Sequence, residues 1–281
     1  VSESEGVPEL ADGLPPASDQ DALELLAEGR LEVVGRLRAA SNATLYCQVS
    51  LGEVSAACVH KPVAGERPLW DFPDGTLASR ERAAYLVSEA MGWRIVPPTV
   101  LREGPYGPGM CQLWIEADGD ERLIGLVRGH HPPGGWFAVA EALLADDEPA
   151  VLIHRDDQRL RRVALFDAVI NNADRKGGHL LVTADGHLYG IDHGVTFAVE
   201  DKLRTLLWGW ADEPLTEAEL AALAELAAAL EAPPHPLRAA LADLLDEAEV
   251  AATAARVREL RATGRFPAPA QDRPAVPWPP M

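Results

Sequence analysis

Two aspartates eighteen positions apart, Asp174 and Asp192, constrain this chain more than any other feature. The first stands in Asn171-Asn172-Ala173-Asp174-Arg175-Lys176-Gly177-Gly178-His179, the second in Gly190-Ile191-Asp192-His193-Gly194. Between them, residues 180–182 and 187–191 read as two short strands joined by the turn Ala184-Asp185-Gly186. A hairpin folds the chain back and brings both carboxylates towards one cleft. Upstream, Leu160, Val163, Ala164, Phe166, Asp167 and Ile170 recur near helical spacing, so a helix over 159–171 delivers Asp174 just past its C-terminus. A lone Asp in such a turn is as often a cap or turn former as a functional group. Two of them at this spacing suit phosphoryl transfer from ATP, with one carboxylate near the acceptor hydroxyl and the other holding the metal that bridges the phosphates.

Upstream features agree with that chemistry. Residues 31–37, 44–49 and 54–60 read as three consecutive strands of an antiparallel meander. Its first turn, with Ser41 and Asn42, has small residues that let backbone N–H groups approach phosphate, although it lacks Gly-x-Gly-x-x-Gly. Lys61 closes the third strand, and a helix over 77–91 follows. A lysine directed at the α- and β-phosphates needs an anion to hold it. Glu81 is the first candidate and Glu89 the second. An insert over 66–75, with Trp70 and Phe72, is long enough to serve as a lid or substrate-recognition loop. Strands follow over 94–101 and 109–115. In the second, Gln112, Leu113, Trp114 and Ile115 lie where a linker between lobes would grip adenine.

The run Asp-Arg-Lys-Gly-Gly-His followed by Ile-Asp-His-Gly resembles the catalytic and metal loops of atypical kinases. The groups it is most similar to are the phosphatidylinositol 3-/4-kinase-like proteins and the HipA-type kinases, whose pattern is Asp-Arg-His-x-x-Asn, two short strands, then Asp-[Phe/His]-Gly. Arg-Glu-x-Ala-Ala-Tyr at 80–85 looks like the helix that carries their partner acid. The resemblance covers roughly residues 31–207 and implies Asp174 as the catalytic-loop aspartate and Asp192 as the metal aspartate. It implies ATP and Mg²⁺ as cofactors. Two positions depart from the pattern: Lys176 replaces its His and His179 replaces the Asn that helps hold a second magnesium. Imidazole suits manganese and other transition metals better than magnesium, so Mn²⁺ is an alternative and His179 a candidate ligand.

Composition narrows the acceptor. The chain has 44 acidic and 25 basic residues, a formal net charge of −19. Nucleic acid and anionic membrane surfaces both call for basic clusters, so neither is an expected partner. The cysteines Cys47, Cys58 and Cys111 lie in apolar strand-like runs with no Cys-x-x-Cys pair, as expected of buried thiols in a reducing cytoplasm. No signal peptide or membrane-spanning run is visible.

The expected architecture is α+β: a bilobal protein-kinase-like fold with an antiparallel-sheet small lobe over 21–116 and a mainly helical large lobe over 117–265. An acidic, disordered tail (1–20) precedes it and a Pro-rich tail (266–281) follows. Asp21 is expected to cap a short first helix that ends near Gly29. Within the large lobe, helices are expected over 136–144, 150–155 and 159–171, and Arg159, Arg161 and Arg162 form a basic knot expected to be solvated. Trp208-Gly209-Trp210 is expected to anchor packing, and Thr216 with Glu219 forms a capping box. The functional expectation is an ATP-dependent phosphotransferase acting on a soluble small molecule, such as an inositol derivative, or on a protein. The alternative is a nucleotide-binding pseudokinase that serves as a regulatory or scaffold module.

Overall fold

A computed structural model describes residues 13–37, 42–119, 121–144, 147–232 and 234–281. The expectations for the first twelve residues and for Ser41 fall outside them. Contacts divide the chain into two compact units, Val1–Tyr85 with Pro97–Ile115, and Leu86–Val96 with Glu116–Met281.

The first unit is built on α1 (Asp19–Glu28), β1 (Arg30–Arg36), β2 (Leu45–Leu51), β3 (Val54–Pro62), the start of α2 (Leu77–Ala90), β4 (Thr99–Gly104) and β5 (Gly107–Leu113). The strands form one antiparallel sheet in the order β1-β2-β3-β5-β4. Alternation places Leu45, Cys47 and Val49 of β2 on one face with Cys58, Val100 and Cys111, and Leu25 and Leu26 of α1 cover that face. Each such leucine contributes about 1.5–3 kcal/mol by leaving water. All three thiols are free and buried. Ser18, rather than Asp21, caps α1: its hydroxyl accepts from the Asp21 N–H and donates to the Asp21 carboxylate. Arg102 donates to the carbonyls of Leu26 and Gly29 at the other end. The insert before α2 has a defined task as well. Glu66 accepts from the N–H groups of Leu77 and Ala78 and caps that helix.

The second unit contains β6 (Ile124–Arg128), β7 (Trp136–Leu143), β8 (Pro149–Arg155), α3 (Gln158–Ile170), β9 (Leu180–Val182), β10 (Leu188–Gly190), α4 (Glu217–Glu231), α5 (Pro236–Ala242) and α6 (Glu247–Thr263). It corrects the sequence reading of residues 136–155. Residues 136–144 and 150–155 are strands, not helices, and with β6 they form a three-stranded antiparallel sheet in the order β6-β8-β7. The centre of β8, Ala150–His154, is buried throughout, as a middle strand covered on both faces should be. The turn Trp208–Trp210 packs on this sheet. Trp210 meets the rings of Phe137 and His154, and the Gly209 N–H donates to His154 Nε2.

Helix α3 is capped by Asp157 at its start and ends at Asn171, whose backbone is left-handed (φ 54°). The expected basic knot is mostly paired: Arg159 bridges Asp157 and Glu121, while Arg161 is buried against Glu213 and Glu219 and stacks on Phe266. Only Arg162 is exposed. The Thr216–Glu219 capping box opens α4, and Gly264 (φ 62°) ends α6. The Pro-rich end lies along this unit: the Ala275 carbonyl accepts from Thr205 N–H and Trp208 Nε1, and the Pro280 carbonyl accepts from Gly177 N–H. The fold is α+β, with an antiparallel sheet in the first unit and most of the helices in the second.

Candidate active site

In the second unit one arginine organises both acid loops. Arg175 and Asp167 are each 0% exposed, and the Arg175 guanidinium meets the Asp167 carboxylate at 2.9 Å. Its Nε donates to the same carboxylate, and Asn172 Nδ2 donates to it too. Removing one partner of a buried pair like this typically costs about 3–5 kcal/mol, because the other charge is left uncompensated. From that anchor, Arg175 Nη1 donates to the Ile191 carbonyl at 3.0 Å and Nη2 contacts His193 Nε2 at 2.6 Å. A guanidinium can only donate, so His193 Nε2 accepts and the imidazole is neutral.

Arg175 therefore grips the residues on both sides of Asp192 while standing next to Asp174. Further bonds tie the loops: Ile191 N–H to the His179 carbonyl, Ala173 N–H to the Val195 carbonyl, and Arg175 N–H to the Arg204 carbonyl. The sequence assigned no role to Arg175, Asp167 or Asn172. The signal was an acid inside the apolar stripe of α3, where only a buried partner can stabilise it.

The predicted residues of this unit fall into one neighbourhood. Asp174 pairs with Lys176, Oδ2 to Nζ at 3.0 Å. Burial pushes the Asp174 carboxyl above its usual range; Lys176 and, more weakly, Arg204 oppose the shift, and Asp192 adds to it. Asp192 has a left-handed backbone (φ 62°), a conformation that Asp visits more readily than most residues. Its carboxylate is about half exposed, and His179 Nε2 lies 3.4 Å from its Oδ2. One carboxylate and one imidazole thus present an oxygen and a nitrogen at the same place. Among the described residues, no cluster of three or more His, Cys, Asp or Glu could hold a metal alone. An ion held here would need ligands brought by a substrate.

In the first unit, Lys61 Nζ meets Glu81 Oε1 at 2.7 Å, with Glu81 only 2% exposed, so the first candidate partner is the one in contact. The Asn42 side chain accepts from the Arg67 N–H, holding the β1–β2 connection to the segment before α2. Gln112 is buried and donates to Thr99 Oγ1. Leu113 N–H donates to the Pro98 carbonyl and Trp114 N–H to the Ala57 carbonyl, while the Trp114 ring packs edge-on to Tyr46. Ile115 is half-buried.

No family model matches the chain. Over 276 residues it is 49% identical to Protein Rv2133c of Mycobacterium tuberculosis (strain ATCC 25618 / H37Rv), covering 95% of this chain and 98% of that protein. Among solved structures, it is similar to a Golgi casein kinase (TM-score 0.52, 13% identity, 87% of this chain and 74% of that one). It is similar also to hydra Fam20, solved with sugar (TM-score 0.52, 14% identity, 88% and 89%). Identities this low establish the fold alone.

Proposed function

The chain belongs to the family of Protein Rv2133c, and on that premise, joined to its kinase-like fold, we propose that it is an ATP-dependent phosphotransferase acting on a hydroxyl acceptor. The single observation that carries this reading is the hold of Arg175 on Ile191 and His193, which fixes the metal-loop aspartate relative to Asp174. The residues of the two loops support the finer reading of an atypical kinase related to the phosphatidylinositol 3-/4-kinase-like and HipA-type groups. The acceptor is a soluble small molecule, such as an inositol derivative, or a protein. The acidity of the chain and the sparse basic content of residues 195–207 favour these over a membrane lipid. Free, buried thiols suit a cytoplasmic setting.

In this proposal Lys61, held by Glu81, orients the phosphates, and the β1–β2 connection with Ser41 and Asn42 covers them. Leu113, Trp114 and Ile115 give adenine its apolar contacts, while the Gln112 amide holds its strand against Thr99. Asp192 and His179 are the residues that hold Mg²⁺ or Mn²⁺; the ion, when bound, neutralises phosphate charge. Asp174, with its proton affinity raised by burial, orients the acceptor hydroxyl and takes its proton. Lys176 beside it supplies positive charge where negative charge develops.

The test is ADP formation by the purified chain with Mg²⁺ or Mn²⁺, against a panel of inositols, lipids and seryl proteins. Asp174→Asn and Asp192→Asn are each expected to lower acceptor-dependent turnover by about 10²–10⁴-fold. Turnover that survives both substitutions rejects the assignment. The placement of His179 against Asp192 also favours a second reading, a nucleotide-binding pseudokinase. It predicts a thermal shift with ATP that is not followed by hydrolysis and is unchanged in Asp174→Ala.

A further inference from the structure

A cavity lies within the larger unit, with neither Asp192 nor His179 in its lining. Its volume is about 530 Å³, within the range of small-molecule sites. The end of α3, one wall of α6, the segment after Val195 and the first part of the Pro-rich end enclose it. Ala168, Ala252, Leu260 and Phe266 make much of its surface apolar.

One charge in it stands out. Arg256 reaches in from α6 and donates to three neutral oxygens: the Val169 carbonyl at 3.1 Å, the Ala198 carbonyl at 3.0 Å and Thr253 Oγ1 at 3.0 Å. Among the described residues it makes no ion pair. Of the acids on the cavity wall, Asp201, Asp212 and Glu259, Asp201 is paired with Arg273 at 2.5 Å. Burial pulls the Arg256 guanidinium down to about 10, against the opposing pull of the Asp201 and Glu249 carboxylates, so its lost hydration is only partly made up. Its two remaining N–H groups leave it able to bind an oxyanion, and a charge-assisted bond of that kind is roughly twice as strong as a neutral one. An occupant would also meet Asn171. The Asn171 amide donates to the carbonyls of Ala198 and Glu200 and accepts from Lys202 N–H, so it fastens the segment after Val195 to the end of α3, three residues before Asp174.

We propose that this cavity is a binding site for a small amphipathic anion, a carboxylate or phosphate carried on an apolar body, with Arg256 as the anion's partner. The apolar body lies on Ala168, Ala252 and Phe266, and the bound ligand stabilises the segment that Asn171 and Arg256 hold together.

Calorimetric titration of the whole chain with phenyl phosphate, in the absence of nucleotide, tests it. Saturable binding is expected, weakened at least about tenfold in Arg256→Gln. Arg258→Gln, on the exposed side of the same helix and paired with Glu231, is expected to bind as the wild type does. Arg256 also holds two backbone carbonyls, so a variant that keeps it gives an independent check: Ala252→Phe fills the cavity and is expected to abolish binding. An absence of saturable binding at millimolar concentrations overturns the proposal. So does binding that neither Arg256→Gln nor Ala252→Phe weakens, which would place the probe elsewhere. Activity does not enter these readings, so they stand or fall separately from the phosphotransferase assignment.

Discussion

Asp174 stands to gain nothing for stability from its charge. Its folded carboxyl holds a proton more tightly than the usual 3.8, chiefly because burial disfavours the anion. The folded state therefore binds more protons here than the unfolded state does. The contribution of Asp174 is most favourable below the ordinary carboxylate range and declines as pH rises through the raised folded value. We expect Asp174→Asn to melt at the same temperature as the wild type or higher at neutral pH, with the difference shrinking as pH falls below 3.8. Thermal melts across an acid-to-neutral series measure it, and a variant markedly less stable at neutral pH would contradict it. A stabilising loss is what the role proposed for Asp174 calls for, since sites kept for chemistry commonly cost stability. The same scale holds what the sequence hid. The pairing of Lys61 with Glu81 was legible because residue type and spacing singled them out, as they did Asp174 and Asp192 for the proposed site. Arg175 and Asp167 were not, because their importance lies in a contact between residues whose individual types have many uses.

At the scale of elements, the hairpin β9–β10, the helices α3 and α4 and the meander β1–β3 follow local rules of period, cap and turn, so they could be read directly. The sheet β6-β8-β7 could not. Strand β7 carries three Ala with one Leu and one Glu, residues that favour helices, and it is extended because β8 pairs with it along its length. Strand β8 is an unbroken apolar run, and such a run has no period to distinguish strand from buried helix. The close seat of the Trp208–Trp210 turn on that sheet gives a test. A Cβ on Gly209 would come within 2.4 Å of the Phe137 ring and 2.5 Å of His154 Nε2. Gly209→Ala should therefore destabilise the chain by about 1–3 kcal/mol through overpacking, as read from denaturant unfolding. A neutral result would mean that the turn does not seat against β7 and β8 as described.

For the molecule as a whole, charge is the dominant global property. With a formal net charge of −19, the chain repels polyanions at long range, and salt screens that repulsion only beyond about 8 Å at physiological ionic strength. Labelled duplex DNA titrated with the protein is expected to show no saturable rise in fluorescence anisotropy at about 0.15 M salt. Tight, salt-sensitive binding would reveal a basic face that the composition conceals. The kinase-like class was legible through the resemblance of the two acid loops, and the order of a β-rich stretch before a helix-rich one agreed with it. What they could not convey is where the Pro-rich end lies, because proline content specifies no partner. That end finishes with the Pro280 carbonyl on the Gly177 amide, and Met281 Sδ would lie 2.9 Å from a Cβ at Gly177. Gly177 is three positions from Asp174. A peptide spliced after Met281 would start its path beside the loop that holds Asp174, and would crowd any acceptor brought there.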